Sequence, residues 1–156
     1  MSATVELPKE YGYVILTGAL TTVINVWHGI TVTSARKDAG VPYPYAYASK
    51  EQVDAAESDA VRDRLTRFNS AQRAHSNFLE NHTNNLMLIL VAGLRYPIAA
   101  SALGVFWSVN RVLFARGYMD TSKKEGKGRY KGIGHFFGWL GLLGLTVKTG
   151  VDLIMS

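Results

Sequence analysis

The stretch RFNSAQRAHSNFLEN, residues 67–81, gathers guanidinium, carboxylate, imidazole and amide groups just ahead of LMLILVAGL, residues 86–94. On a helix turning about 100° per residue, Arg73, Asn77, Glu80 and Asn84 fall within a band roughly 60° wide, and Asn69 extends it. His75 and His82 lie on the opposite side, so one helix presents two polar faces. A charged side chain at the centre of a lipid-facing helix costs about 2.5–3.5 kcal/mol on insertion scales, so the band must face protein or a wet cavity. Three readings fit the pattern: Arg73 and Glu80 neutralising one another, the wall of a polar ligand cavity, or an ion or proton pathway. The third reading is disfavoured because the polar groups gather toward one end of the apolar stretch instead of crossing it.

A second group lies further on, where Arg111, Phe114 and Tyr118 stand at i, i+3 and i+7 and share a helix face. Arg111 is placed to pair with Glu80. Tyr118 suits either an aromatic belt or a hydroxyl at a surface site.

The elements that must position these groups are read from apolar runs. Crossing about 30 Å of hydrocarbon takes roughly 20 apolar residues. Residues 13–33, 67–95, 98–118 and 132–155 are the four candidate spans, the second carrying the polar band in its first half. The fold class expected is therefore all-α, an integral membrane four-helix bundle in a single domain over residues 1–156. Pro42 and Pro44 break the first connector, in which a short surface helix is expected near residues 51–60, and the second long helix is expected to begin near Asp63. Gly134, Gly138 and Gly141 offer the last span a slim face for close approach of a neighbour.

Charge sorts the connectors. Arg36, Lys37, Lys50, Arg62, Arg64 and Arg67 fall in or beside the first, and Arg116, Lys123, Lys124, Lys127, Arg129 and Lys131 in or beside the third, which together hold most of the 17 basic residues. By the positive-inside tendency, connectors 34–66 and 119–131 are cytoplasmic. Arg36 and Lys37 also suit plain topology signals and lipid phosphates. Glu6 and Glu10 precede the first apolar run, where a secretory signal would be basic, so that run is expected to be retained. The chain has no cysteine, which excludes disulfides, thiolate metal ligands and a cysteine nucleophile. Its four histidines form no recognisable metal set, and the net charge of +5 comes with no nucleic-acid-binding module.

Taken in order, SARK at 34–37, VPYPYAYAS at 41–49, FNSAQRAHSNFLEN at 68–81 and RVLFARGY at 111–118 resemble the membrane-associated proteins in eicosanoid and glutathione metabolism, most nearly their type 3 microsomal glutathione S-transferase branch. The resemblance implies a homotrimer in the endoplasmic reticulum membrane, with glutathione as co-substrate bound between subunits on the cytoplasmic side. Arg73, Asn77, Glu80 and Tyr118 match glutathione contacts of one subunit, and Arg36 and His75 match contacts from its neighbour. Arg129 or Lys131 matches a catalytic arginine; Arg129 is favoured because a guanidinium stays charged at every relevant pH. The implied chemistry is stabilisation of the glutathione thiolate, which then attacks a lipophilic electrophile or lipid hydroperoxide from the bilayer. No metal is required.

Departures from the pattern are Asn81 and Phe114, each where relatives carry tyrosine, and Lys37 and His75, where the leukotriene-forming branch has arginine and glutamine. They weaken leukotriene synthesis more than glutathione binding. A non-catalytic lipid-binding or lipoxygenase-assisting scaffold is the alternative within the same resemblance.

Overall fold

The computed structural model describes residues 7–155, and Glu6 lies outside them. Its elements are α1 (Tyr11–Ala39), α2 (Lys50–Asp54), α3 (Asp59–Gly93), α4 (Pro97–Tyr118), a 3-10 segment (Lys124–Gly132) and α5 (His135–Met155), with no strand among the described residues.

Local chemistry sets each boundary. α1 ends where Gly40 takes a left-handed conformation (φ 65°) and returns its N–H to the Arg36 and Lys37 carbonyls. It therefore runs past residue 33, and Arg36 and Lys37 belong to its last turn, where cations offset the negative end of the helix dipole. Ser49 and Gln52 form a reciprocal cap on α2. α2 stops at Asp54, well short of the residue 60 expected. Ser58 accepts from the Val61 N–H, so α3 begins at Asp59, earlier than Asp63. Pro97 opens α4, where its missing N–H costs no helix bond.

Among the described residues three helices, α1, α4 and α5, are long and apolar enough to cross a membrane. α3 is the longest, but its arginines, glutamate and asparagines keep it outside that group. α3 packs on α1 and α4, and α5 packs on both α3 and α4. At one end Val32, Ala35, Val41, Leu65, Phe68 and Ala71 seal the 41–48 loop against α1 and α3. Ile24, Phe78 and Trp107 fill the middle, and Val14, Leu88, Ile89, Ala92, Ala100 and Leu142 the other end.

Outside this core, Ile15, Leu16, Val23, Val26 and Ile30 of α1 and Phe136, Phe137, Leu140 and Val147 of α5 are exposed. So much bare apolar surface, on helices that satisfy their own backbone hydrogen bonds, suits a hydrocarbon solvent.

The glycine face of α5 meets α4 as expected. A Cβ on Gly138 would stand 3.1 Å from the Trp107 Cβ, and one on Gly141 3.0 Å from Leu103. The connector before α5 lies folded along the end of α4. The approach is backbone on backbone: a Cβ on Gly117 would stand 2.0 Å from the Gly128 carbonyl oxygen. Any side chain at either position would separate the two segments.

Candidate functional site

The polar band of α3 divides into parts with different duties. Asn69 is structural, accepting from the Ala48 N–H (2.8 Å) and donating to the Ala48 carbonyl (2.9 Å), which pins the tyrosine-rich loop to the helix. Asn84 is exposed. Between them, Arg73 Nη1 lies 3.1 Å from Glu80 Oε1, and Asn77 Nδ2 donates to Glu80 Oε2 at 3.4 Å. Both charged side chains are about half exposed, at 50% and 53%. An ion pair this open contributes about 0–1 kcal/mol. Since both partners sit on α3, it cross-links nothing.

Arg111 reaches this group from α4, though not by the expected pairing with Glu80. Its Nη2 donates to Asn77 Oδ1 at 3.0 Å, so Asn77 relays between the buried guanidinium and the carboxylate. Arg111 is 1% exposed, 4.8 Å from the Phe114 ring centroid, with the Phe78 and Trp107 rings at 5.7 Å.

Two cavities flank the network. One of about 480 Å³ has Tyr47, Lys50, Asn69, Ser70, Arg73 and Tyr118 in its wall. The other, about 340 Å³, has Asn77, Asn81, Phe114, Arg129, Tyr130 and His135 in its wall. Of two larger clefts beside α1 that share Tyr13, Leu16 and Ile98, the one of about 700 Å³ is almost wholly apolar, whereas the one of about 800 Å³ also has Lys9 and Glu10 in its wall.

Arg129 belongs to the site through the connector's conformation. Glu125 and Gly126 take positive φ (58° and 63°), and Arg129 Nη1 donates to their carbonyls at 3.0 and 2.9 Å. The guanidinium lies 5.7 Å from the Tyr118 ring and 4.7 Å from that of Tyr130. It thus borders the cavity holding Asn77 while touching the tyrosine that borders the cavity holding Arg73. Lys131 is engaged elsewhere, with Nζ 3.2 Å from Asp120 Oδ2, and is absent from both walls. Hydrogen bonds from Ser122 and then Lys131 hold the Asp120 carboxyl below its ordinary range.

Arg36 and His75 are not brought to this network within one chain. Arg36 is buried, donating to the Tyr45 carbonyl at 2.6 Å, with the Tyr43 and Phe68 rings 4.4 and 4.6 Å from its guanidinium carbon. His75 stacks on His28 of α1 at 5.7 Å, on the opposite side of α3 from Arg73.

His135, Tyr130 and Lys50 line the cavities although the sequence reading did not select them. His135 is a lone imidazole that belongs to neither the polar band nor a metal-ligand pattern; among the described residues no group of three or more metal-capable side chains exists. The GIGH sequence at 132–135 was a usable signal, since a polar ring there opens an otherwise apolar helix.

An all-helical chain with three membrane-competent helices and a half-buried charge network defines the class as a helical membrane protein. Residues 14–151 match the MAPEG family, so the chain belongs to that family. At the level of the family, membership supports a membrane glutathione transferase or eicosanoid-related function.

Proposed function

We propose that the chain is a membrane-bound glutathione transferase with peroxidase capability, of the type 3 microsomal branch. It is one membrane domain with four spanning helices, assembled as a homotrimer in the endoplasmic reticulum with connectors 34–66 and 119–131 cytoplasmic. The observation that carries this reading is the open Arg73–Glu80 pair with Asn77 between its partners and Tyr118 and Arg129 alongside. Glutathione carries two carboxylates, an ammonium and a thiol. Its ammonium replaces Arg73 on Glu80 and a carboxylate replaces Glu80 on Arg73, so each protein charge exchanges one partner for another. The fold need not open for this exchange, because the pair lies along a single helix.

Tyr118 contributes a hydroxyl beside the bound tripeptide, and Arg36 and His75 contribute from the adjacent subunit. Arg129 supplies the charge that favours thiolate over thiol; a free thiol titrates near 8.5, and each unit of lowering corresponds to about 1.4 kcal/mol. Lys131 is the weaker candidate, being committed to Asp120. The thiolate attacks a lipophilic electrophile or lipid hydroperoxide delivered from membrane lipid.

The test is titration of glutathione into the detergent-purified protein at neutral pH, following ultraviolet thiolate absorbance in wild type and Arg129→Ala. Thiolate in the first and not the second supports the assignment. Binding without thiolate in wild type favours the second reading, a lipid-binding or lipoxygenase-assisting scaffold without turnover. That reading draws on Phe114, which brings no hydroxyl to the cavity wall, and on the wide apolar cleft of about 700 Å³ beside α1.

A further inference from the structure

His135 is the first residue of α5, where the connector turns into the last helix. Its ring is held from three sides: Nδ1 lies 2.7 Å from the Gly132 carbonyl oxygen, Phe114 of α4 meets it edge-on at 5.6 Å and 86°, and Phe136 packs at 5.0 Å. A carbonyl oxygen only accepts, so Nδ1 carries the ring proton and the neutral ring keeps its lone pair on Nε2. Nε2 has no hydrogen-bonding partner among the described residues and, unlike Nε2 of His28, is not sealed in the core. His135 thus enters the wall of the 340 Å³ cavity with an acceptor nitrogen open to a ligand.

The other polar groups of that wall are poor bases or already engaged. Asn77 spends its amide on Arg111 and Glu80, and Asn81 donates to the Asn77 carbonyl. The Tyr130 hydroxyl accepts from Arg129. The charged groups surrounding His135 are Arg129 from the connector, Arg111 from α4 and, beyond Asn77, Glu80 from α3. The cavity therefore offers a thiol one cation, Arg129, and one neutral nitrogen base.

We propose that His135 is the catalytic base that takes the proton of the glutathione thiol, an inference that rests on the functional reading above. The S–H bond breaks, its electron pair stays on sulfur, and the proton passes to Nε2, leaving thiolate and imidazolium as an ion pair beside Arg129. Once the thiolate has formed its bond to the electrophile, the imidazolium returns the proton to the product or to water, and the neutral ring is regenerated. Free thiol and free imidazole titrate near 8.5 and 6.5, so the transfer is uphill by about a hundredfold in water. Arg129 favours the thiolate but repels the imidazolium, as Arg111 does, so the attraction within the new thiolate–imidazolium pair has to make up the deficit.

Two measurements on the full-length, detergent-purified protein test the step. The first counts protons released to the buffer per thiolate formed when glutathione is added to wild type at neutral pH. Retention on His135 gives well under one proton per thiolate; a full proton per thiolate overturns the proposal. The second compares rates of thiolate appearance by stopped flow in wild type and His135→Asn. Asparagine can keep the bond to the Gly132 carbonyl but places nothing at Nε2. It should form thiolate about 100-fold more slowly and release a full proton for each. A wild-type rate and proton count in His135→Asn overturn the base role, while leaving glutathione activation intact. No thiolate in wild type overturns the functional reading and this step with it. The wild-type proton count needs no variant, so a misfolded His135→Asn does not shield the proposal.

Discussion

Two charged clusters sit toward opposite ends of the bundle and are built in different ways. The Arg73–Glu80 pair lies along one helix, half exposed, with only Asn77 leading inward to Arg111. At the other end, Asp152 of α5 pairs with Lys148 at 3.0 Å and accepts a short hydrogen bond from the Tyr96 hydroxyl, while Lys148 lies 5.2 Å from the Tyr96 ring centroid. The second cluster ties α5 to the turn between α3 and α4. Releasing its charges would loosen that join, whereas releasing Arg73 and Glu80 costs the fold almost nothing. A charge pair's duty thus follows from what it connects more than from how close its atoms are.

The largest test of this contrast is Arg73→Ala or Glu80→Ala. Each should weaken glutathione binding about 10- to 100-fold through loss of a charge-assisted hydrogen bond, with stability changed by under about 1 kcal/mol. Calorimetry and thermal melting in detergent read the two quantities separately, and a large stability loss would place this pair with the structural cluster. Gly132→Ala strikes the mounting of the site. Its Cβ would stand 2.2 Å from the Asn110 carbonyl oxygen and 2.3 Å from the Phe114 nitrogen, both backbone atoms. A loss of about 1–3 kcal/mol is expected, accompanied by loss of the thiolate signal.

Tyr96→Phe reverses the first pattern. Stability should fall measurably as Asp152 loses its tyrosine donor and keeps only Lys148, with glutathione affinity unchanged; altered affinity would mean that the two ends are coupled. Lys131→Ala should be milder still, costing under about 1 kcal/mol and leaving thiolate formation as in wild type. The smallest effect is set by pH. Because Asp120 has a depressed pKa in the folded protein, its contribution is present above the ordinary carboxylate range and is lost as pH falls through the lowered value. The melting difference between wild type and Asp120→Asn should therefore be small at neutral pH and vanish as pH falls through that lowered value; a difference that grew on acidification would reverse the sign argued here.

The long helices were legible from their apolar runs and from Pro97, though the stop that Gly40 gives α1 was missed, and the Arg73, Asn77, Glu80 band was legible because helical period is regular. The Ser58 cap of α3 was available from residue types, yet the mixed charges around it obscured the start. What periodicity does not encode is contact across the fold. Nothing in SARK announces that Arg36 turns inward between Tyr43 and Phe68, and nothing in GKGRYKG tells that glycine backbones lay this connector along α4. His135 became meaningful only when its partner carbonyl and its cavity were known together.

The length of α3 has a consequence for traffic. Its 35 residues extend about 52 Å at 1.5 Å each, some 20 Å more than the hydrocarbon they would cross. The surplus falls on the end that carries Arg73, since the apolar stretch, residues 86–93, lies at the other end. On the proposed topology a water-borne tripeptide arrives from above along this projecting end, while an oily electrophile arrives sideways from between lipid tails. Each reactant stays in its own solvent until they meet, so slow turnover by a very greasy substrate would report lateral diffusion in the bilayer and not escape from it.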